Sequence, residues 1–424
     1  MINIRPHVQK ELDKLSDIAN KFRDGELSES MFLDVVSKYK NEKETLTDYK
    51  EYLLNRNVRI VSGDSDVESD YDNDNEITAI KPYNTKLIDI TPKQLSLDNI
   101  IARLENDEID LMPDFQRKSG LWTVEQKSQL IESLILRIPL PAFYFDGSNN
   151  DLWVVIDGLQ RLTALKEFFV TKKLELTGLE FLKDLEGLNV DYMPRSYERR
   201  MKETQIITYI INPGAPKEIK YNIFKRINTG GLNLEAQEIR HALYQGKATK
   251  YLERLANLQI FKEATGYSVK TDRMLDREFV LRFIAFHELT IDHYKGSIDS
   301  FLNTAMDYIN NHYDEKHSNE VERLFVKSLD VCEMVFGKFA FRRMPDDKKK
   351  RPISKALFET WTSVLALYTF DELQILIDNK QKVFKKYMEM CSSDNDFIDS
   401  IRSGKISAVR KRFEKIKNLV DEVI

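Results

Sequence analysis

Leu12, Leu15, Ile18 and Phe22 recur every three or four positions, and Phe32, Val35, Val36 and Tyr39 repeat that interval. The spacing predicts two amphipathic helices at the start of the chain. The pattern then breaks at DSDVESDYDNDNE, residues 64–76, where an acid stands at every second position. Mutual repulsion and the lack of apolar content oppose a packed fold, so this stretch reads as a linker. It lacks the central glycine and terminal glutamate of an EF-hand loop, which argues against a calcium site. Beyond it, short apolar runs at 109–115, 142–145 and 152–156 predict strands. Between the first two, Thr123 and Gln126 form a T-x-x-Q capping box, Leu130, Ile131, Leu134 and Ile135 line one helical face, and Pro139 stops the helix. A helix over 162–169 follows the third strand. A strand at 205–211 and helices at 217–227 and 234–244 complete this α/β segment before Gly246.

After Gly246 the period is helical throughout. Phe279, Val280, Phe283 and Ile284, then Leu324, Phe325 and Leu329, then Leu357, Trp361, Val364 and Leu365, and finally Val409, Phe413, Ile416 and Val420 predict a helical bundle. The expected organisation is therefore N-terminal helices over 1–62, an acidic linker over 63–85, a mixed α/β domain over 86–246 and a helical domain over 247–424. The fold class is α+β, dominated by helix. Composition agrees: 15 glycines in 424 residues is about half the usual ~7%, leaving few positions for turns that need positive φ.

Charge and cysteine content narrow the partners. A net charge of -5 excludes a uniformly basic nucleic-acid coat, although 64 Lys and Arg leave room for a local basic face. Lys348 to Arg351 reads as a solvated loop, and Arg410, Lys411 and Arg412 read as the polar side of the last helix. Cys332 and Cys391 lie in helical patterns and read as reduced core thiols, which places the protein in the cytoplasm. The first ten residues lack the apolar stretch of a signal peptide and no window has the length of a membrane span, so no membrane partner is expected. Apolar faces of the C-terminal helices leave two options open, inward packing or a homodimer.

Three segments carry candidate chemistry. In LWVVIDGLQRLTALKEFF, residues 152–169, a strand ends in Asp157 and Gly158, and Gln160 and Arg161 open a helix. A helix start offers unpaired N–H groups, glycine admits a ligand to the backbone, and arginine forks onto phosphate oxygens. Asp157 is placed to hold a cation or orient water. Equally open at this point is a structural reading, with Asp157 capping the helix and Arg161 pairing at the surface. In DLMPDFQRKSGLW, residues 110–122, Gln116 and Arg117 follow a strand; the alternative is that Phe115 and Trp122 are core aromatics and Arg117 a rim charge. In FKRINTGGLNLEAQEIR, residues 224–240, Arg226, Asn228 and Thr229 stand at a Gly230-Gly231 joint between two helices. No P-loop, nucleophile elbow or Cys–His pairing is present, and the six histidines assemble no metal site by spacing.

In order and spacing these segments resemble the N-terminal domain of GmrSD-type modification-dependent restriction proteins, of the ParB/sulfiredoxin-like superfamily. The family's D-G-Q-Q-R signature stands here as Asp157-Gly158-Leu159-Gln160-Arg161, its P-x-F-Q-R as Pro113 to Arg117 with Trp122 following, and its R-x-N-T-G-G as Arg226 to Gly231. The resemblance covers residues 87–246. It implies a nucleotide-binding fold that contacts phosphate through the signature segment, and hydrolysis of nucleoside triphosphates in defence against modified or phage DNA. On that basis the catalytic candidates are Asp157, Gln160 and Arg161. The nucleotide-binding candidates are Gln116, Arg117, Gly158, Arg226, Asn228 and Thr229, with Asp157 as ligand to Mg²⁺. Leu159 replaces the first glutamine of the signature, removing an amide, so binding is better supported than hydrolysis. Restriction members often carry a C-terminal HNH nuclease, for which no histidine and asparagine cluster is found here. A separate nuclease subunit and DNA are therefore expected partners. The alternatives are a DNA-binding or adaptor module without turnover, and a metal-dependent nuclease centred on Asp157.

Overall fold

The structure, a computed structural model, describes residues 4–22, 25–39, 46–61, 67, 89–111, 122–227, 235–271, 273–344 and 351–424. It divides into two compact units, one of residues 79–245 and one combining 1–78 with 246–424. The chain opens with α1 (Pro6–Phe22), β1 (Glu26–Ser28), α2 (Glu29–Val36), α3 (Leu46–Leu54) and β2 (Arg59–Val61). Val8, Leu12, Leu15 and Ala19 bury one stripe of α1 against Phe32 and Val36 of α2 and Tyr49 and Leu53 of α3. The remainder of the expected acidic linker, apart from Val67, lies outside the described residues.

The unit of residues 79–245 is built on a five-stranded mixed sheet. In chain order it contains β3 (Ile90–Ser96), α4 (Leu97–Glu105), β4 (Ile109–Asp110), α5 (Val124–Ile135), β5 (Phe143–Asp146), β6 (Trp153–Asp157), α6 (Leu159–Leu165), α7 (Arg195–Lys202), β7 (Gln205–Ile211), α8 (Lys217–Ile227) and α9 (Ala236–Leu243). The strand order is β3-β7-β5-β6-β4. Pairs β3/β7 and β5/β6 are antiparallel, whereas β5/β7 and β4/β6 are parallel. Phe143, Phe145, Val155, Ile206 and Ile210 turn to one face and pack on Ile100 of α4, Ile131 and Leu134 of α5 and Leu162 of α6. Ile156 and Ile211 turn to the other, against Tyr221 and Phe224 of α8 and Ile239 of α9. The strands expected at 142–145, 152–156 and 205–211 form within a residue or so of those positions. Of the strand expected at 109–115, Ile109–Asp110 is strand, Leu111 is not, and 112–115 lie outside the described residues.

Three elements of this unit, β3, α4 and α7, escaped the pattern. Strand β3, ITPKQLS, carries a proline and little alternation, which an edge strand tolerates because only one of its sides is paired and the N–H that Pro92 lacks can go unused. Helix α7, RSYERRMK, offers only Tyr197 and Met201 as an apolar stripe. The capping box of α5 is present as expected. Thr123 Oγ1 accepts from the Gln126 N–H at 3.3 Å, and the Gln126 side chain accepts from the Thr123 N–H at 3.0 Å. Further along α5, the buried Glu132 carboxylate accepts from the N–H groups of Glu180, Phe181 and Leu182 at 3.0, 2.8 and 2.7 Å.

From Gly246 on, the chain forms α10 (Lys247–Ala256), α11 (Gln259–Ala264), α12 (Leu275–Ile284), α13 (Ile298–His312), α14 (Glu315–Phe336), α15 (Lys355–Ala366), α16 (Phe370–Asp378), α17 (Lys380–Ser393), α18 (Asn395–Ile401) and α19 (Ile406–Asp421). The protein is thus α+β and helix-dominated. Helix α15 is buried all round from Ala356 to Ala366. At its centre Glu359, 0% exposed, accepts from Arg282 at 2.9 Å and Arg412 at 2.5 Å, and Arg282 also pairs with Glu278. This corrects the expectation that Arg412 lies on the polar side of the last helix. Arg412 stands three residues after Val409 and four before Ile416, hence on the buried stripe, and Glu359 with the Ser400 and Ser403 carbonyls satisfies its charge. Cys332 and Cys391 are buried free thiols. Among the described residues no helix is long and apolar enough to cross a membrane.

Glu132 gives the fold a pH signature. Burial alone would raise its carboxyl, but the hydrogen bonds from Leu182, Glu180 and Phe181 outweigh burial and hold it below the ordinary 4.5. A carboxylate with a depressed folded pKa stabilises above its unfolded pKa, and that contribution is lost as pH falls through the folded value. Chemical unfolding of the parent and Glu132→Gln should therefore show a stability gap at about pH 7 that narrows on acidification below about pH 4. A gap independent of pH would contradict this role.

Candidate functional site

Strand β6 ends in Asp157, and the chain turns into a helix through Gly158. That residue occupies the helix N-cap with φ 102° and makes no side-chain capping bond. A β-carbon at this position would run into the Phe143 ring and lie 3.2 Å from Arg161 Nη2, so the turn needs glycine both for its backbone and for space. The helix runs through α6 and continues as a wider turn over Lys166–Val170. Asp157 is therefore not the helix cap of the structural reading.

Asp157 is held instead by Arg161. The Arg161 side chain is only 10% exposed and lies inward: Nη1 donates to the Pro141 carbonyl, and Nη2 donates to the Ala142 carbonyl at 3.1 Å and to Asp157 Oδ2 at 3.2 Å. The guanidinium carbon sits 4.3 Å from the centroid of the Phe143 ring. Burial lowers the Arg161 pKa and Asp157 works against that shift, but a guanidinium stays charged regardless. The Asp157 side chain is 37% exposed, so a held carboxylate reaches the surface at the strand end. Gln160 is oriented from another direction, its Oε1 accepting the Trp122 N–H at 3.3 Å.

That bond ties the second segment to the first. Gln116 and Arg117 lie outside the described residues, but their chain leaves from β4, where Asp110 pairs with Val154 of β6, and returns at Trp122 on Gln160. The third segment is bounded in the same region. Arg226 is exposed in the last turn of α8, Asn228 and Thr229 lie outside the described residues, and the description resumes at Glu235 before α9. Helices α8 and α9 pack around Ile156, next to Asp157, and Tyr144, Ile223 and Ala236 join that cluster. The ends of all three segments thus gather around the end of β6.

Two further groups went unnoticed in the sequence. Lys220 of α8 donates to Asp146 at the end of β5, at 2.9 and 3.1 Å, and also to Ser148; both Lys220 and Asp146 are buried. Only the packing of α8 on the sheet brings these residues together, and no local spacing signals it. Tyr144 and Tyr209 stack across β5 and β7 beside Asp157. Their alternation in strands marks a shared face but not their partner.

Residues 97–245 match the family model of the GmrSD restriction endonuclease, N-terminal domain. The GmrSD match takes in all but the first strand of this unit and includes the three motif segments. No curated protein and no solved structure matches the chain.

Gly158→Ala should lower the stability of this unit by about 1–3 kcal/mol, because the substituted residue meets both a left-handed backbone and the Phe143 ring. Thermal unfolding checks this. An unchanged transition would mean that the strand-to-helix turn is not constrained as described.

Proposed function

We propose that the unit of residues 79–245 has a ParB/sulfiredoxin-like fold, binds a nucleoside triphosphate with Mg²⁺ and hydrolyses it, in a DNA restriction or anti-phage defence setting. The observation that carries this reading is the Asp157–Arg161 pair, which presents a fixed, part-exposed carboxylate at the end of β6 within the GmrSD match. One oxygen of Asp157 is occupied by Arg161, and the exposed remainder of the carboxylate is available to a hard cation. Mg²⁺ suits such a site, since it takes one or two carboxylates and fills its other positions with water and phosphate oxygens. When bound, it would neutralise charge on the phosphate chain.

The residues divide the remaining work. Arg161 acts as a positioning residue, its charge spent on Asp157 and two carbonyls, so it orients the carboxylate rather than gripping phosphate. Neutralisation of the phosphate chain falls to Arg117 and Arg226, the latter exposed at the end of α8. Gly158, buried against the Phe143 ring, makes the turn that sets Asp157 and Gln160 on either side of it. Gln116, Gln160, Asn228 and Thr229 orient ligand oxygens and the attacking water. DNA and a separate nuclease subunit are the proposed partners, in line with the restriction setting that the family name carries.

Calorimetric titration with ATP, GTP, CTP and UTP, with and without Mg²⁺, tests this reading with phosphate release followed in the same samples. The parent should bind saturably and release phosphate only with Mg²⁺, and Asp157→Asn should lose at least about 100-fold in turnover. Turnover that survives this change would remove Asp157 from the mechanism. No triphosphate binding, together with DNA binding that weakens steeply with salt, would favour a DNA grip without turnover.

A further inference from the structure

Beside Asp157 the sheet carries a row of side chains that the proposed hydrolysis does not use. Pro92 pairs with Tyr209, Tyr209 with Tyr144, and Tyr144 with Asp157, so the row crosses β3, β7, β5 and β6. A register shift between Tyr144 and Phe145 sets Asp157 opposite Tyr144. The two tyrosine rings stack at 4.9 Å between centroids with planes 13° apart. Both side chains are half-buried, and among the described residues neither phenol oxygen has a hydrogen-bond partner. Neither hydroxyl is a buried orphan, so both open to solvent as two adjacent donors beside the motif carboxylate that no described protein group claims.

The chemistry of the surroundings narrows what they receive. A phenol is protonated at neutral pH, so both hydroxyls are hydrogen-bond donors. On β7, two residues before Tyr209, Ile207 is 49% exposed and adds apolar surface to the same face. Stacked aromatic rings, an exposed aliphatic group and phenol donors suit a flat, polar-edged heteroaromatic group with its sugar.

We infer that Tyr144 and Tyr209 form the nucleoside side of the site and hydrogen-bond the base–ribose portion of the ligand while its phosphates lie at Gly158 and Asp157. The inference rests on the nucleotide reading above and adds the direction in which the ligand lies.

The test uses the full chain and the double variant Tyr144→Phe, Tyr209→Phe, which keeps both rings and removes only the hydroxyls. Each protein is titrated, with Mg²⁺, against the best-bound nucleoside triphosphate and against inorganic tripolyphosphate. Loss of two hydrogen bonds should weaken nucleoside triphosphate binding about ten-fold or more. Tripolyphosphate binding should stay within about two-fold, with an unchanged thermal transition as the check on folding. Equal weakening of both ligands, or no weakening of either, would overturn the inference while leaving the nucleotide reading in place. A parent that binds neither ligand would overturn the nucleotide reading and the inference with it.

Discussion

The site depends on where one buried guanidinium finds its acceptors. Taking a charge out of water costs several kcal/mol unless it is paired and hydrogen-bonded. Arg161 meets this requirement with the Pro141 and Ala142 carbonyls, the Asp157 carboxylate and the Phe143 ring. These partners come from the entry to β5 and the exit from β6, so a single side chain ties the two strand ends together. Gly158 is bound to the same arrangement, because any β-carbon there would collide with the ring that Arg161 covers. The consequence is a carboxylate whose position is set by the fold and whose exposed part faces outward.

Around this clamp the unit gathers elements distant in sequence. The connection between β4 and α5 returns to the clamp through Trp122 on Gln160, and α8 is pinned to the end of β5 by Lys220 on Asp146. An ion pair of that kind, buried at both ends, gives a helix one position on a sheet rather than several. Arg226, which opens the third motif, is exposed in the last turn of the same helix. In the other unit Glu359 plays the corresponding part, taking two buried arginines from α12 and α19 and fixing both helices on α15.

Much of this was legible in the sequence where a local rule governs it. The Thr123–Gln126 capping box, the strands around Trp153 and Ile206 and the helix ending at Ile227 follow from capping chemistry and apolar period. The order of the three motifs suggested one site; in the structure Trp122 bonds Gln160, and the helices flanking the third motif pack on Ile156. What escaped was decided by tertiary partners. An arginine in a first helical turn is free to reach outward or inward, and the carbonyls that draw Arg161 inward lie 19 and 20 residues earlier. Arg412 was misplaced for a similar reason, since its acceptor Glu359 belongs to another helix. The one-residue register shift that aligns Tyr144 with Asp157 has no sequence mark at all.

The central claim is that Arg161 positions Asp157 for a phosphate-bound cation and does not itself take the phosphate. A crystal structure of the full chain with a non-hydrolysable nucleoside triphosphate and Mg²⁺ tests it directly. The account predicts the triphosphate at the Gly158 turn, Asp157 facing the metal, and the Arg161 guanidinium still on the Pro141 and Ala142 carbonyls. Arg161 swung out onto phosphate, or a triphosphate bound away from the end of β6, would contradict it.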